Sequence, residues 1–568
     1  MRLGSVKGIA GVSLVCALVA CGGGGDAGSV DAGLGGPRDP FPDQVCPGSD
    51  GCTGQGDGVL KVGAAQVEIT PNLADYETEY TDDNGNGEWD SGEAFVDKNG
   101  NNVFDAVWLA GFGNGRPATS VHAPIWVRSI VFEWNDLRFA IVTVDCVGWM
   151  ANAIDATRDM LPASLGIDHL LMQATHVHEA PDTLGLWGRK ELESGLDPDY
   201  MQSIREKSVQ AVSNAVDALE PVSMSYAVTQ TLDPGGSARP YVGDGRDPNI
   251  LDPTLTVVQF KSVAEPDRSV ATLIHWSAHP EYSGSSNDAI TPDYIYMLRD
   301  GVESGLPAEP DRTLPAVDGV GGEVLFLQGT LGGQIGPHGT RPIAADGTEI
   351  TDGGLERADA VGRNVARLAV DAITSTDKVV DVDSPSLEFR TGAIELAVEN
   401  TFYQVGSVVG VFDREFHGND PKKPLGPTNV PYIDSRVTYF RVGTLGVITA
   451  PGELHPELFI GGYDGTFSYD APIIDPNNPN PPMLANAPQP PYLRQLMTDL
   501  PGVDHAICMG LAEDMIGYIV PGYNYQLDDN TPYIEEAPGD RYEETNSVGP
   551  QVEEQAVGSM RALIESQP

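Results

Sequence analysis

The apolar run His169–Ala174, closed by Thr175-His176-Val177-His178, is the feature that most constrains the fold. A short run of this composition predicts a buried strand. His176 and His178 stand at i and i+2, and side chains two apart share one face of a strand. We therefore expect both rings to point to one side beyond the strand. A hydrogen-bonded histidine pair and two ligands of one metal ion are both compatible with this spacing.

Other histidine and carboxylate candidates follow further strand-like runs. His279 lies at the end of the apolar run 274–280, and Glu453 follows the run 446–449. Loops at strand ends commonly carry binding and catalytic groups. We expect the side chains at these strand ends to meet.

The rest of the chain alternates between strand and helix patterns. Residues 125–132 and 137–145 flank a turn at Asn135-Asp136 and predict a hairpin. Apolar positions in 200–219 and 361–372 keep helical spacing, and three short runs are typical of buried strands: 324–327, 437–440 and 446–449. The pattern predicts an α/β fold, a mixed β-sheet core with flanking helices and ligands on loops at strand ends.

Five segments, in the same order along the chain, resemble the neutral/alkaline ceramidase family, zinc-dependent hydrolases of N-acyl amide bonds. Residues 174–181, Ala-Thr-His-Val-His-Glu-Ala-Pro, are similar to the family's "ATHTHSGP" signature. Residues 62–71 resemble its "VGxGxxDITPP" opening, and 274–280 its second histidine-bearing strand. Residues 328–333 resemble the "QGxxGDVSP" loop and 541–550 the "RYExxSxxYGP" ending. The resemblance covers roughly residues 60–566 and implies a zinc hydrolase domain over 59–568.

The resemblance also implies a ligand set for one zinc ion. Its members would be His176, His279, Glu453 and Tyr518. Two imidazoles, a carboxylate and a phenol suit a zinc ion that keeps a position open for water. Without the family context, Tyr518 could equally be a core tyrosine and Glu453 a helix-capping carboxylate.

Three further residues would serve catalysis by the same resemblance. His178 would act as general acid/base or as a donor to the developing oxyanion. Arg239 would hold the substrate, and Tyr542 would stand near it. A surface salt-bridge arginine and a core tyrosine are the alternatives for these two. His455 is an additional candidate for the rim of the site.

One family feature is missing. The "GDVSP" loop carries a serine regarded as the nucleophile, whereas residues 332–337 read Gly-Gly-Gln-Ile-Gly-Pro, and the loop's aspartate is also lost. Thr330 is the nearest hydroxyl and does not stand at the matching place. Hydrolysis would then depend on a metal-bound hydroxide as the nucleophile.

An acidic, asparagine-rich insertion at 82–105 predicts calcium binding. Residues 82–93 fit the twelve-residue loop of the EF-hand type, with Gly87 at the sharp turn. A second copy begins at 97, has Asn102 at the glycine position and lacks a closing carboxylate. A solvated acidic loop is the alternative. The predicted oxygen ligands are Asp82, Asn84, Asn86, the Glu88 carbonyl, Asp90 and Glu93 in the first copy, and Asp97, Asn99, Asn101 and Asp105 in the second.

The first residues predict export. Basic Arg2 and Lys7 precede an apolar stretch that ends in Leu-Val-Ala-Cys at 18–21. This is typical of a lipoprotein signal peptide over residues 1–20, after which Cys21 would carry a lipid. Residues 21–58 are rich in Gly, Pro and Asp and predict a flexible tether, within which Cys46 and Cys52 could form a disulfide. The expected location is a bacterial outer membrane or cell surface.

Charge limits the class of partner. The chain has 33 Lys and Arg against 82 Asp and Glu, a formal net charge of −49. This sign argues against nucleic acid as a partner and favours cations. Two functions remain: a surface-anchored zinc hydrolase of an amide in a lipid or N-acyl compound, and a calcium-loaded surface lipoprotein that uses a ceramidase-like fold as a binding module.

Overall fold

The computed structural model of the protein describes residues 43–49, 52–336, 338–469 and 471–566. The expected signal peptide and Cys21 lie outside the described residues, as does most of the expected tether. Within the described ranges, no helix combines the length and the apolar character needed to cross a bilayer.

The strands fall into two main sheets and several short pairs. The larger sheet has nine strands and the smaller has five. The strands are β1 Gln44–Cys46, β2 Leu60–Glu68, β3 Ser120–Val121, β4 Trp126–Trp134, β5 Leu137–Val144, β6 His169–Ala174, β7 Glu220–Gln230, β8 Thr254–Ser262, β9 Ser269–Trp276, β10 Ala289–Ile290, β11 Gly305–Leu306, β12 Val317–Asp318, β13 Glu323–Gln328, β14 Val379–Val382, β15 Leu387–Ala397, β16 Tyr432–Val442, β17 Leu445–Thr449, β18 Glu453–Leu454, β19 His505–Met509 and β20 Tyr518–Ile519.

The helices lie mostly between these strands. They are α1 Ala151–Asp159, α2 Pro198–Asp217, α3 Tyr294–Ser304, α4 Leu355–Thr374, α5 Thr401–Val408, α6 Pro456–Ile460, α7 Leu493–Thr498, α8 Tyr542–Thr545 and α9 Gly558–Glu565. Asp197 caps the first turn of α2 by accepting hydrogen bonds from the backbone of Asp199 and Tyr200.

The architecture is a four-layer stack of helices, sheet, sheet and helices. The order in the larger sheet is β13-β9-β8-β7-β2-β4-β5-β6, with β14 beside β7, and the order in the smaller is β1-β15-β16-β17-β19. Alternation along β5 shows how the layers form: Val142 packs into the core with α2 to α4, whereas Ile141 packs into the core between the sheets. A third core lies between the smaller sheet and α6, α7 and α9.

This architecture confirms the predicted mixed α/β class. β4 and β5 form the expected antiparallel hairpin. The two helical patterns are α2 and α4, and the three short apolar runs are β13, β16 and β17.

The folded unit begins before residue 59. β1 pairs antiparallel with β15, and Cys46 and Cys52 are disulfide-bonded and buried. The tether boundary expected at residue 58 is therefore too late. The composition of these residues indicated flexibility, but they pair with β15 and are buried against the sheet, and these contacts hold them in place.

The two ends of the larger sheet meet at one place. β6 and β13 are at opposite ends of the strand order, yet Gln173 Nε2 donates to Gln328 O at 2.8 Å, and Gln328 Nε2 donates to Thr175 O at 3.1 Å. Both glutamine side chains are fully buried. These bonds bring the loops after β6, β9 and β13 together.

Candidate functional site

His176 and His178 meet because the chain turns immediately after β6. The strand ends at Ala174, so the two rings lie beyond it, on one side as expected, and a turn rather than strand alternation brings them together. His176 has φ 70°, in the left-handed region, and its backbone N–H donates to Cys146 O at 2.9 Å. This conformation is strained for a residue with a side chain and is concentrated at functional sites. After the turn, the two Nε2 atoms lie 3.3 Å apart.

Glu453 and Tyr518 are brought together by a short parallel pairing. β18 pairs with β20 in the register that sets Glu453 beside Tyr518. His279, three residues after β9, completes the group. Its Nε2 lies 3.0 Å from Glu453 Oε2 and 3.3 Å from Tyr518 Oη. The structure thus gathers the four predicted zinc ligands from four distant parts of the chain.

The spacing of these donor atoms fits a metal ion. The nitrogen and oxygen atoms of neighbouring donors are 3.0 to 3.5 Å apart, including 3.5 Å between His176 Nε2 and Glu453 Oε2. Zinc–ligand bonds of about 2.0–2.1 Å in a tetrahedron separate the ligands by roughly 3.3 Å. The ligand nitrogens of His176, His178 and His279 all lie within 4.8 Å of one another.

The hydrogen bonds made by the outer nitrogens of His176 and His279 also support a metal site. His176 Nδ1 lies 2.6 Å from Val147 O, and His279 Nδ1 lies 3.1 Å from Gln334 O. A carbonyl only accepts, so each Nδ1 carries a proton, and each ring turns its Nε2 inward, towards the Glu453 carboxylate. Lone pairs and a carboxylate that converge in a buried space call for a cation.

His178 differs from the other two histidines in the surroundings of its outer nitrogen, which makes no hydrogen bond within the described residues. Its Nδ1 lies 3.4 Å from Glu281 Oε2, a carboxylate rather than a carbonyl. Glu281 is 7% exposed, and its Oε1 has no hydrogen-bond partner among the described residues. Our sequence interpretation missed Glu281, although its position two residues after His279 was a usable signal.

Burial dominates the electrostatics of the centre. It lowers the pKa of His176 to about 4 and takes the pKa of His178 well below its usual value. Burial also acts on Glu453, but the neighbouring His176 and His279 outweigh it and lower the pKa of this carboxyl. Burial raises the pKa of Glu281 to about 7. Burial acts on His279 too, but the hydrogen bond and the charge of Glu453 outweigh it and raise the pKa of this imidazole. His176 and His178 are thus neutral and Glu453 is ionised, the forms that bind metal ions, whereas a metal ion would replace a proton at His279.

The loop after β13 supports the centre. Gln334 is fully buried, and its carbonyl accepts hydrogen bonds from both N and Nδ1 of His279 at 3.1 Å. Gly332 N donates to Leu454 O at 3.0 Å, next to Glu453. The loop that lacks the serine therefore positions two predicted ligands, and half-buried Ile335 has no hydroxyl to offer.

The two weaker catalytic candidates lie in different surroundings. Tyr542 is 47% exposed, and its ring centroid is 6.0 Å from that of Tyr518, which places it at the rim of the centre. The Arg239 guanidinium donates to the carbonyls of Ser468 and Tyr469 and to the Asn249 side chain. None of these partners is a donor of the histidine centre.

An apolar cavity of about 60 Å³ borders the centre. Its lining includes Leu184, Phe412, Met515 and Gly517. Gly517 precedes Tyr518, and its carbonyl accepts from Glu453 N at 3.0 Å. The cavity thus reaches the residue next to Tyr518, and none of the five donor residues is part of its lining.

The predicted calcium loops are folded, exposed turns. In the first, Asp82 accepts from the backbone of Gly85 and Gly87, and Glu93 accepts from Asp83 N at 2.9 Å and Asp90 N at 2.8 Å. In the second, Asp97 plays the part of Asp82 and accepts from the backbone of Gly100 and Asn102.

A carboxylate outside the second loop takes the closing position. Glu77 accepts from Lys98 N at 2.7 Å and from Asp105 N at 3.0 Å, as Glu93 does from the second and ninth positions of the first loop. Glu77 is 2% exposed. It lies 28 residues before Asp105, outside the twelve-residue loop, so the spacing of residues within the loop did not reveal it. The Tyr80–Phe95 bridge joins the entries of the two loops.

Two solved structures share this fold. A neutral ceramidase from Pseudomonas aeruginosa aligns with a TM-score of 0.58 and 14% identity, covering 89% of this chain and 74% of that one. A ceramidase complexed with C2 aligns with a TM-score of 0.56, at the same identity and coverage. No protein-family model and no curated protein sequence matches the chain. The protein therefore has a ceramidase-like α/β fold.

Proposed function

We propose that the chain is a zinc-dependent hydrolase of an amide bond in a lipid or N-acyl compound. The observation that carries this proposal is the set of buried donors at 3.0 to 3.5 Å, His176, His178, His279, Glu453 and Tyr518. The fold shared with ceramidases supports an amide with a hydrocarbon part, and the apolar cavity lined by Gly517, the residue before Tyr518, is compatible with it. A zinc ion bound here would act as a Lewis acid and lower the pKa of a bound water to about 7.

The residues of this chain divide the remaining work. His176, His279, Glu453 and Tyr518 hold the ion, and the carbonyls of Val147 and Gln334 fix the two imidazoles. His178 takes up and returns the proton at Nε2, and Glu281 stabilises the charge of that ring through Nδ1. Because Ile335 replaces the loop serine, the attack comes from water and no covalent acyl-enzyme forms.

The test combines metal analysis with hydrolysis of N-lauroylethanolamine. We expect about one zinc ion per chain at this centre, no turnover after chelation, and recovery on addition of zinc. Mass spectrometry during turnover should show no acylated protein. An acylated chain, or full activity of the chelated protein, would contradict the mechanism.

The missing serine favours a second candidate, a binding module on the same fold. A module of this kind would bind N-lauroylethanolamine without hydrolysing it, with or without zinc. The hydrolysis assay therefore separates the two functions.

We also propose that the paired loops bind two calcium ions. The first site would use Asp82, Asn84, Asn86, the Glu88 carbonyl, Asp90 and Glu93, and the second Asp97, Asn99, Asn101 and Asp105 with Glu77 as the closing carboxylate. Hard oxygen ligands and a bidentate glutamate at the end of the loop suit calcium. Folding of so charged a segment would then be linked to the ion.

Anchoring at a bacterial surface is a separate proposal, which rests on the sequence of residues 1–21. A lipid on Cys21 would hold the hydrolase next to membrane amides. Cys21→Ser should release the protein into the soluble fraction or block its processing, and unchanged membrane association would contradict the proposal.

A further inference from the structure

The segment 400–412, which is α5 with the residues that flank it, has no charged side chain, in a chain that contains 82 Asp and Glu. Three of its apolar side chains project into solvent: Phe402 is 42% exposed, Val408 is 70% exposed and Val409 is 57% exposed. Val405 lies on the same side of the helix and is half-buried. These four residues form an apolar patch, and an exposed patch of this kind marks a surface that contacts another molecule.

Hydrogen bonds hold α5 so that the apolar patch faces outward. Asn400 caps the helix and accepts from Phe402 N at 2.9 Å and from Tyr403 N at 3.2 Å. Away from the patch, the buried Gln404 side chain donates to Val398 O at 2.8 Å. The exposure of the patch therefore follows from the way the rest of the helix is bonded to the core.

The segment that carries the apolar patch also forms a wall of the apolar cavity. Tyr403 and Phe412 belong to the lining of that cavity. A Cβ atom on Gly517, the residue before Tyr518, would lie 2.9 Å from Tyr403 Oη. One segment thus presents hydrocarbon to the cavity on its inner side and to the exterior on its outer side.

The chain enters the smaller sheet from the side of α5. β1 runs antiparallel to β15, with Gln44 opposite Thr391. Asp43 Oδ1 accepts from Ala393 N at 3.3 Å, so the chain before β1 comes from the end of β15 after which α5 begins. The part of the chain that would carry a lipid on Cys21 therefore joins the fold on the side of the patch.

We propose that the apolar patch docks on a membrane surface of uncharged lipid headgroups. Phe402, Val408 and Val409 would enter the boundary between headgroups and acyl chains, where buried apolar area drives binding. The net charge of −49 opposes an anionic lipid surface, and Asp413 and Glu415 are exposed just beyond the segment. Docking would hold the cavity against the bilayer. The inference does not depend on hydrolysis.

Sedimentation with phosphatidylcholine vesicles tests the docking on the metal-free full chain carrying Cys21→Ser, which removes the proposed lipid attachment. Val408→Gln with Val409→Gln should lower the partition coefficient by about tenfold or more, because two exposed valines lose their transfer into hydrocarbon. The matched control is Val263→Gln with Val380→Gln. These two valines are 58% and 43% exposed and lie outside α5 and its flanking residues, so the partition coefficient should equal that of the parent protein.

A fluorescent label shows whether the patch itself touches the lipid. An environment-sensitive NBD group on Val409→Cys should shift its emission to the blue when vesicles are added, whereas the same group on Val263→Cys should not. Cys16 and Cys21 are serine in both proteins, and the free cysteines of the described residues are buried, so the label attaches to the introduced thiol. This readout does not depend on how the N-terminus interacts with the vesicle.

Three results would overturn the inference: equal partition of the Val408, Val409 variant and its parent, an equal shift at positions 409 and 263, or tighter binding to phosphatidylglycerol than to phosphatidylcholine vesicles. A dimer in light scattering that this variant dissociates would assign the patch to a second copy of the chain and would also overturn it. Hydrolysis of N-lauroylethanolamine by the zinc-loaded protein is measured separately. If docking fails while hydrolysis persists, the proposed function stands.

Discussion

The histidine centre and the paired acidic loops are both rich in metal-binding groups, yet the chain builds them differently. The centre draws its donors from loops after β6 and β9 and from β18 and β20, and all of them are buried. All but one of the predicted ligands of the loops lie within 82–105, and all of these except Glu93 are exposed or half-buried. The packed core preorganises the centre, whereas under the proposed calcium binding an ion would offset the repulsion between neighbouring carboxylates of the loops.

Glu77 is an exception to this contrast between a centre built by tertiary contacts and loops built from neighbouring residues. It closes the second loop from 28 residues away, so one member of the local site depends on tertiary contact. The comparison can be tested at both regions, first where the expected effect is largest.

Removing one inner donor should have the largest effect. His176→Ala is expected to lower zinc affinity and turnover by more than about 100-fold, because even residues that only support a ligand are worth roughly 10–100-fold. Calcium binding should be unchanged, because the loops do not share this side chain. Zinc content by mass spectrometry and calcium calorimetry check both statements. His122→Ala removes a histidine outside the centre and should change neither result.

As the pH falls, the folded protein should lose stability in its buried core before the carboxylates of the acidic loops become protonated. Burial lowers the pKa of His169, a core residue outside the centre, to about 4 from 6.5. The unfolded chain then binds more protons between these values, so stability falls as the pH drops from 6.5 to 4, by about 3 kcal/mol for this group. Backbone hydrogen bonds hold the pKa values of Asp82 and Asp97 below the usual range.

Urea unfolding of the metal-free protein at several pH values measures this slope. His169→Gln should show a smaller loss of stability between pH 6.5 and 4 than wild type. An unchanged slope would show that His169 is not the group responsible.

Glu281 should matter less than an inner donor. Glu281→Gln is expected to reduce turnover by roughly 10–100-fold, the usual cost of losing a carboxylate that orients a histidine. Zinc should stay bound, because His176, His279, Glu453 and Tyr518 remain. Steady-state kinetics should place the loss in kcat rather than in KM, and Glu281→Asp should restore part of it. A zinc-free variant would instead mean that Glu281 holds the ion.

The smallest expected effect is on calcium binding, and it distinguishes the first loop from the second. Glu77→Gln and Glu93→Gln should each weaken one of two calcium-binding steps by about tenfold, because each removes a charged ligand. Calorimetry of the metal-stripped protein resolves the steps. Glu79→Gln, the same change at an exposed neighbour of Glu77, is the control and should leave both steps intact. If wild type shows only one calcium-binding step, the proposal of two paired sites is wrong.

The sequence predicted the mixed α/β class, the hairpin of β4 and β5, and the helices α2 and α4, because these depend on local periodicity. It also singled out each donor of the centre through a resemblance. Three details went beyond it. His176 turns through a left-handed conformation, Glu281 faces His178, and residues before 59 join the smaller sheet as β1. Each depends on contacts between segments far apart in the chain.

The sequence by itself determined most of the candidate metal ligands of this protein and where several strands and helices form, because donor chemistry and hydrophobic period belong to neighbouring residues. Tertiary structure decided which donors meet. Gln173 and Gln328 join the two ends of the larger sheet, and β18 pairs with β20 to set Glu453 beside Tyr518. These distances arise from packing across the whole core, which no local pattern encodes.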